Sequence, residues 1–231
     1  MTSTHQGVIF DLFGTLVDAP TSEDRRAMAQ AIATVTGAGH EVVETLLVDS
    51  WAERHDGRLP TRASLASYLA RHCDAPSATS DVDRILGQRA AERLDPDDSV
   101  IHLLHGLRSR GMKLGVLSDA SADIAQEWPR CRLSQVVDSA VFSCQARRTK
   151  PHPDLYARVS AQLATTPERL SYCGDGGGDE LRGAVAVGLR AIGVQRRGGP
   201  GTLVFGARHW NGPVLSRVED LPGSALFEER A

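Results

Sequence analysis

Short apolar runs alternate with amphipathic stretches over most of the chain. The run Gly7 to Phe10 is rich in β-formers and stops at Asp11, the pattern of a buried parallel strand. From Asp18 to about Leu94 the period becomes helical. Ala27, Ile32 and Val35 share one face; Val42, Leu46 and Leu47 share a second; Leu65, Tyr68 and Leu69 a third; Val82, Ile85 and Leu86 a fourth. Turn residues at Gly37-Ala38-Gly39, at Asp56-Gly57 with Leu59-Pro60, and from Asp74 to Ser80 separate them. Asp95-Pro96-Asp97-Asp98 closes the segment.

Beyond Val100 helices and strands alternate. Helices are predicted at 101–110, 122–128, 153–163 and 180–187, with strands at 113–117, within 136–143, at 170–173 and at 190–194. A last short strand is expected around Leu203 to Phe205, in a tail rich in Gly and Pro. This alternation predicts an α/β fold: a Rossmann-like, doubly wound parallel sheet core from residues 1–17 plus 95–231, with an inserted helical cap domain at 18–94. Ligands of such sheets sit beyond the carboxyl ends of the strands, so Asp11, Ser118 and Asp175 should converge.

Composition narrows the function classes. A chain of 231 residues can bury a core with a modest second lobe. A formal net charge of -3 gives no field that favours nucleic acid or an anionic membrane. No window approaches the roughly 20 apolar residues of a membrane span, and MTSTHQG lacks the basic and apolar regions of a secretory signal. A cytoplasmic protein acting on a small molecule is expected, as a monomer or homodimer. The cysteines Cys73, Cys131, Cys144 and Cys173 form no CxxC pair, which argues against zinc or a disulfide framework. Of the 26 basic residues only Lys113 and Lys150 are lysines.

Four segments carry the chemistry. Asp11 follows an apolar strand and precedes Gly14-Thr15; a carboxylate so placed can attack phosphorus, splitting one hard displacement into two easier ones. Ser118 and Asp119 also end a strand, where a hydroxyl and helix-start N–H groups can cradle phosphate. Lys150, stiffened by Pro151 and Pro153, offers a cation to phosphoryl oxygens. Asp175 and Asp179 flank Gly176-Gly177-Gly178 and suit Mg²⁺, which takes hard oxygen ligands. Taken singly, Asp11, Ser118 and Asp119 read more readily as helix caps, and Lys150 as a surface lysine. Together and in this order they point to phosphate-ester hydrolysis.

The segments DLFGTLVD (11–18), VLSD (116–119), KPHPDLY (150–156) and GDGGGDELRGA (174–184) resemble the four motifs of the haloacid dehalogenase superfamily, with a helical insertion similar to its first cap class. The resemblance implies that Asp11 is nucleophile and Mg²⁺ ligand, that the Phe13 backbone carbonyl, Asp175 and Asp179 complete the metal site, and that Ser118 and Lys150 hold the phosphoryl oxygens. It thus implies a Mg²⁺-dependent phosphatase acting on small phosphorylated metabolites through an aspartyl-phosphate.

Phe13 departs from that pattern. It stands where the superfamily's phosphatases usually carry an aspartate acid/base, a group worth about 10²–10⁴ in rate. His55, Glu53 and Asp18 are candidate substitutes from the cap side. A metal-independent 2-haloacid dehalogenase would need no proton donor, but would not need Asp175. A phosphonatase needs a cap lysine, and none lies between Asp18 and Leu94. A module that binds phosphate esters without turnover is a third alternative. Among cap residues, Trp51, Arg54, His55, Arg58 and Arg62 could face the substrate.

Overall fold

The inner strands of the central sheet divide their side chains between two buried faces. The computed structural model describes residues 5–198, 201–203, 206 and 209–224. The strands are β1 (Gly7–Phe10), β2 (Lys113–Ser118), β3 (Ser139–Phe142), β4 (Leu170–Gly174), β5 (Arg190–Val194) and β6 (Val214–Leu215). They lie in the order β3-β2-β1-β4-β5-β6, and every pairing is parallel. The chain moves outward from β1 through β2 to β3, then returns to β4 on the other side of β1. The switch point therefore falls between β1 and β4, where open α/β sheets form their ligand crevice. The predicted strand at 203–205 cannot be compared, because 204 and 205 lie outside the described residues; the last described strand is β6.

Helices cover both faces. α6 (Asp98–Ser109) and α7 (Ala122–Glu127) lie on one side, α9 (Pro153–Gln162) and α10 (Glu180–Ala186) on the other, and a short α8 (Ser143–Ala146) follows β3. Val8 and Phe10 pack with Leu104 and Leu107 of α6, whereas Ile9 packs with Leu155 and Val159 of α9. Period-two alternation thus feeds two cores, and each fully buried Leu, Ile or Val contributes about 1.5–3 kcal/mol.

Between β1 and α6 run α1 (Ser22–Thr36), α2 (His40–Asp49), α3 (Trp51–His55), α4 (Arg62–His72) and α5 (Thr79–Arg93). These helices bury Ala29, Ile32, Val43, Leu47, Leu65, Leu69, Val82, Ile85 and Leu86 in a core of their own. On α2 the buried face is turned from the expected one: Val43 is buried while Val42 is 57% exposed. Thr21 and Asp24 form a reciprocal capping box, and Gly37 ends α1 at φ 75°, a conformation that favours glycine. The helical layer meets the sheet layer at α7, where the Arg62 backbone N–H donates to Gln126 (3.3 Å) and its guanidinium lies 3.9 Å from Glu127.

All four cysteines are buried free thiols. Among the described residues no helix is long and apolar enough to cross a membrane.

His55 shows what burial in the helical layer does to a titratable group. Its ring stacks on Trp51 at 4.5 Å between centroids, and its Nδ1 lies 2.6 Å from the Trp51 carbonyl oxygen. Burial, reinforced by the Arg54 charge, lowers its pKa from 6.5 to about 3. The unfolded chain therefore binds a proton that the folded chain refuses. The stabilisation is complete above pH 6.5 and is lost as pH falls towards 3. Urea unfolding of the wild type should lose about 2 kcal/mol more between pH 6.5 and 5 than that of His55→Gln. Equal losses in the two proteins would remove His55 from the acid lability of the fold.

Candidate active site

The sheet register brings the strand ends together. Phe10 pairs with Val116 of β2 and with Cys173 of β4, so Asp11 emerges level with Leu117 and Gly174. The Asp11 N–H donates to the Cys173 carbonyl at 2.9 Å, which holds the residue in line just past the last rung. Ser118 ends β2 and is 1% exposed. Lys150 arrives from the loop before α9, and Asp175 follows β4 directly.

Lys150 lies at the centre. Its Nζ donates to Asp11 Oδ1 at 2.6 Å and to Glu180 Oε2. Its backbone N–H donates to both Asp119 oxygens, at 3.0 and 3.2 Å. The Asp119 carboxylate thus fixes the lysine loop from the end of β2. Thr15 Oγ1 donates to Asp11 Oδ2 at 3.3 Å. Asp175 accepts from the Gly177 N–H at 2.8 Å and from Arg196 Nε.

Glycines permit this proximity. Gly14 has φ 86°, and a Cβ there would stand 2.2 Å from Asp175 Oδ2. A Cβ on Gly174 would stand 2.2 Å from Glu180 Oε1.

Three acids converge: oxygens of Asp11, Asp175 and Glu180 all lie within 4.8 Å of one another. Asp179, a metal ligand by the motif, stands outside this group at φ 55°, immediately before α10. The residue after it, Glu180, is inside, and sequence reasoning missed it. Its side chain is fully buried, accepting from Lys150, from the Tyr172 hydroxyl at 2.7 Å and from the Gly176 N–H at 2.9 Å. The available signal was its helical phase: Glu180 shares a face with Gly183 and Ala184, both buried. Arg196, two residues past β5, was likewise missed.

The charges do not balance. Asp11, Asp119, Asp175 and Glu180 meet two cations, Lys150 and Arg196. Burial raises the Asp11 pKa, with Asp175 adding repulsion that Lys150 offsets in part. Burial and the Asp11 charge push Glu180 to about 8, and burial pushes Asp119 to about 6. Burial opposes the Lys150 charge, but Asp11 and Glu180 outweigh it and hold its pKa well above the usual value. Such a site gains from a further positive charge. The donor set fits a hard divalent cation. Each Asp175 oxygen takes one hydrogen bond from the protein, and a carboxylate oxygen can accept two.

The three cap-side proton candidates lie in other settings. Asp18 is 73% exposed and faces Arg197 at 3.7 Å. Glu53 pairs with Arg58 at 2.9 Å, and His55 is held neutral by burial.

Comparison with known proteins bears on the family and the fold. The chain is 29% identical over 202 residues to the (S)-2-haloacid dehalogenase of Xanthobacter autotrophicus, covering 83% of this chain and 75% of that one. It is 28% identical over 106 residues to the glyceraldehyde 3-phosphate phosphatase of Methanopyrus kandleri, covering 45% of each. A haloacid dehalogenase family enzyme of Bacteroides thetaiotaomicron, solved with magnesium and inorganic phosphate, superposes with a TM-score of 0.67 at 14% identity, over 85% of this chain and 97% of that one. Residues 5–188 match the haloacid dehalogenase-like hydrolase family, and the chain belongs to it.

Proposed function

We propose that this hydrolase cleaves small phosphate monoesters through a covalent intermediate on Asp11. The observation that carries the reading is the convergence of the Asp11, Asp175 and Glu180 carboxylates around Lys150. An acidic cluster of this kind has a use where a dianionic phosphate must approach a carboxylate with the help of a cation.

Asp11, Asp175 and Glu180, with the Phe13 backbone carbonyl, would hold Mg²⁺. When bound, the ion supplies charge neutralisation between nucleophile and phosphate. The protein's own groups do the rest. An Asp11 oxygen attacks phosphorus, the ester P–O bond breaks, and the leaving oxygen takes the bonding electrons. Water then attacks the aspartyl-phosphate, releasing inorganic phosphate and regenerating the carboxylate. Lys150 and the Ser118 hydroxyl hold the phosphoryl oxygens, and Asp119 fixes Lys150 through its backbone. Arg196 orients Asp175. Phe13 cannot donate a proton, so the leaving group must depart unaided.

A second reading, hydrolysis of 2-haloacids, is favoured by Phe13 and by the relative with the longer match. Halide leaves without a proton, and Asp11 would attack carbon instead of phosphorus. It leaves the acidic surplus at Asp175 and Glu180 without a purpose.

The two readings separate in one experiment. With Mg²⁺ the protein should release phosphate from 4-nitrophenyl phosphate, lose that activity in chelator, and lose about 10³-fold or more in Asp11→Asn. Chloride release from 2-chloropropionate in chelator, without phosphatase activity, would establish the second reading. Binding of the aryl phosphate with no turnover of either compound would make the protein a binding module. Across a series of aryl phosphates, kcat should rise as the leaving-group pKa falls; a flat series with chemistry shown to be rate-limiting would refute the role given to Phe13. Glu180→Gln should lower kcat about 10–100-fold by loosening Lys150, and an unchanged kcat would show that Glu180 serves folding alone.

A further inference from the structure

The arginines of the helical layer differ in how they are satisfied. Arg62 forms a fork with Asp83, at 3.1 and 3.0 Å. Arg58 pairs with Asp56 and Glu53. Arg54 is half-buried and donates to the Leu47 carbonyl at 2.6 Å and to Ser50 Oγ at 3.3 Å. Arg93, the last residue of α5, stands apart. Its guanidinium carbon sits 4.5 Å above the centre of the Phe13 ring. Its Nε is buried without a hydrogen-bond partner, and among the described residues its guanidinium makes no hydrogen bond or ion pair.

Arg93 is half-buried, and its sealed Nε, a charged donor without a partner, carries a desolvation cost. The nearest charged groups do not supply a partner. Asp123, at the start of α7, is buried and takes a 2.5 Å hydrogen bond from Ser121 on one oxygen. It acts on both Arg54 and Arg93 electrostatically without bonding to Arg93, and Asp24 adds a weaker field. Arg54 and Arg93 thus face Asp123 together, with Glu53 also acting on Arg54 and Asp24 on Arg93. Phe13 stands two residues beyond Asp11, and two residues of chain span at most about 7 Å. The Arg93–Phe13 pair is therefore attached to the loop that carries the nucleophile.

We infer that Arg93, stacked on Phe13, is a specificity residue that binds a carboxylate on the leaving group of the substrate. This deepens the phosphatase reading and rests on it. The planar fork of arginine matches a carboxylate in two parallel hydrogen bonds. The Phe13 ring holds the guanidinium plane in place. On this account, the residue that replaces the expected acid/base serves substrate selection. The substrate class is a phosphate ester whose acidic leaving group carries a carboxylate.

The test compares 3- and 4-carboxyphenyl phosphate with their methyl esters, which keep size and acidic leaving group but remove the charge. The wild type should favour at least one of the acids over its ester by about 10–100-fold in kcat/KM. Arg93→Met, which keeps the chain length, should reduce that ratio to near one, and Arg93→Lys should retain part of it. A merely structural arginine would lower acid and ester together and leave the ratio intact. Wild type with no preference, or Arg93→Met with the full preference, would overturn the proposal. Should Arg93→Met fail to fold, the wild-type ratio and Arg93→Lys still decide. Calorimetric binding of the same compounds to Asp11→Asn reads the preference without turnover, so a protein that hydrolyses none of them refutes the phosphatase reading and leaves the carboxylate question answerable.

Discussion

The ammonium of Lys150 is the point on which the site turns. It lies between Asp11 and Glu180, with 4% of its side chain exposed. Removing three charged groups from water costs several kcal/mol per ion unless each is paired and further hydrogen-bonded. Those further bonds are present: Thr15 supports Asp11, while Tyr172 and Gly176 support Glu180. They come from β4 and from the loops beyond β1 and β4, so the ion cluster also ties the two halves of the chain together across the switch point.

The architecture was legible because burial on both faces leaves a strong imprint. A strand covered on both sides must be largely apolar, and the interiors of β1, β2 and β4 are, with Ser171 the exception, bonded to His5. The first polar residue after such a run is therefore a positional marker, which is why Asp11 and Asp175 could be read as neighbours despite lying 164 residues apart in sequence (175 − 11). Parallel strands put these markers at the same end.

What was not legible depended on distant partners. Glu180 looks like an ordinary acidic residue near a helix start; only the arrival of Lys150 from another loop gives it a role. Arg196 belongs to the site because the chain after β5 folds back, with the Arg197 N–H bonded to the Gly14 carbonyl at 2.9 Å. Arg93 is one arginine among many, and its lack of a partner is a property of the folded state. Nor could periodicity choose between Val42 and Val43 on α2, since either fits a helical stripe and packing against the neighbouring helices decides.

Register links the two cores to the chemistry in a way that bears on how the chain can vary. In β1 the same two-residue alternation that sends Val8 and Phe10 to one face and Ile9 to the other also sets where Asp11 leaves the sheet. Insertion of a single amino acid there would exchange the faces and carry the nucleophile past its rung. Length changes in the surface turns between α1, α2 and α4 disturb neither alignment. Descendants of this gene should therefore vary in length in those helical turns, while the stretch from Gly7 to Asp11 keeps its residue count.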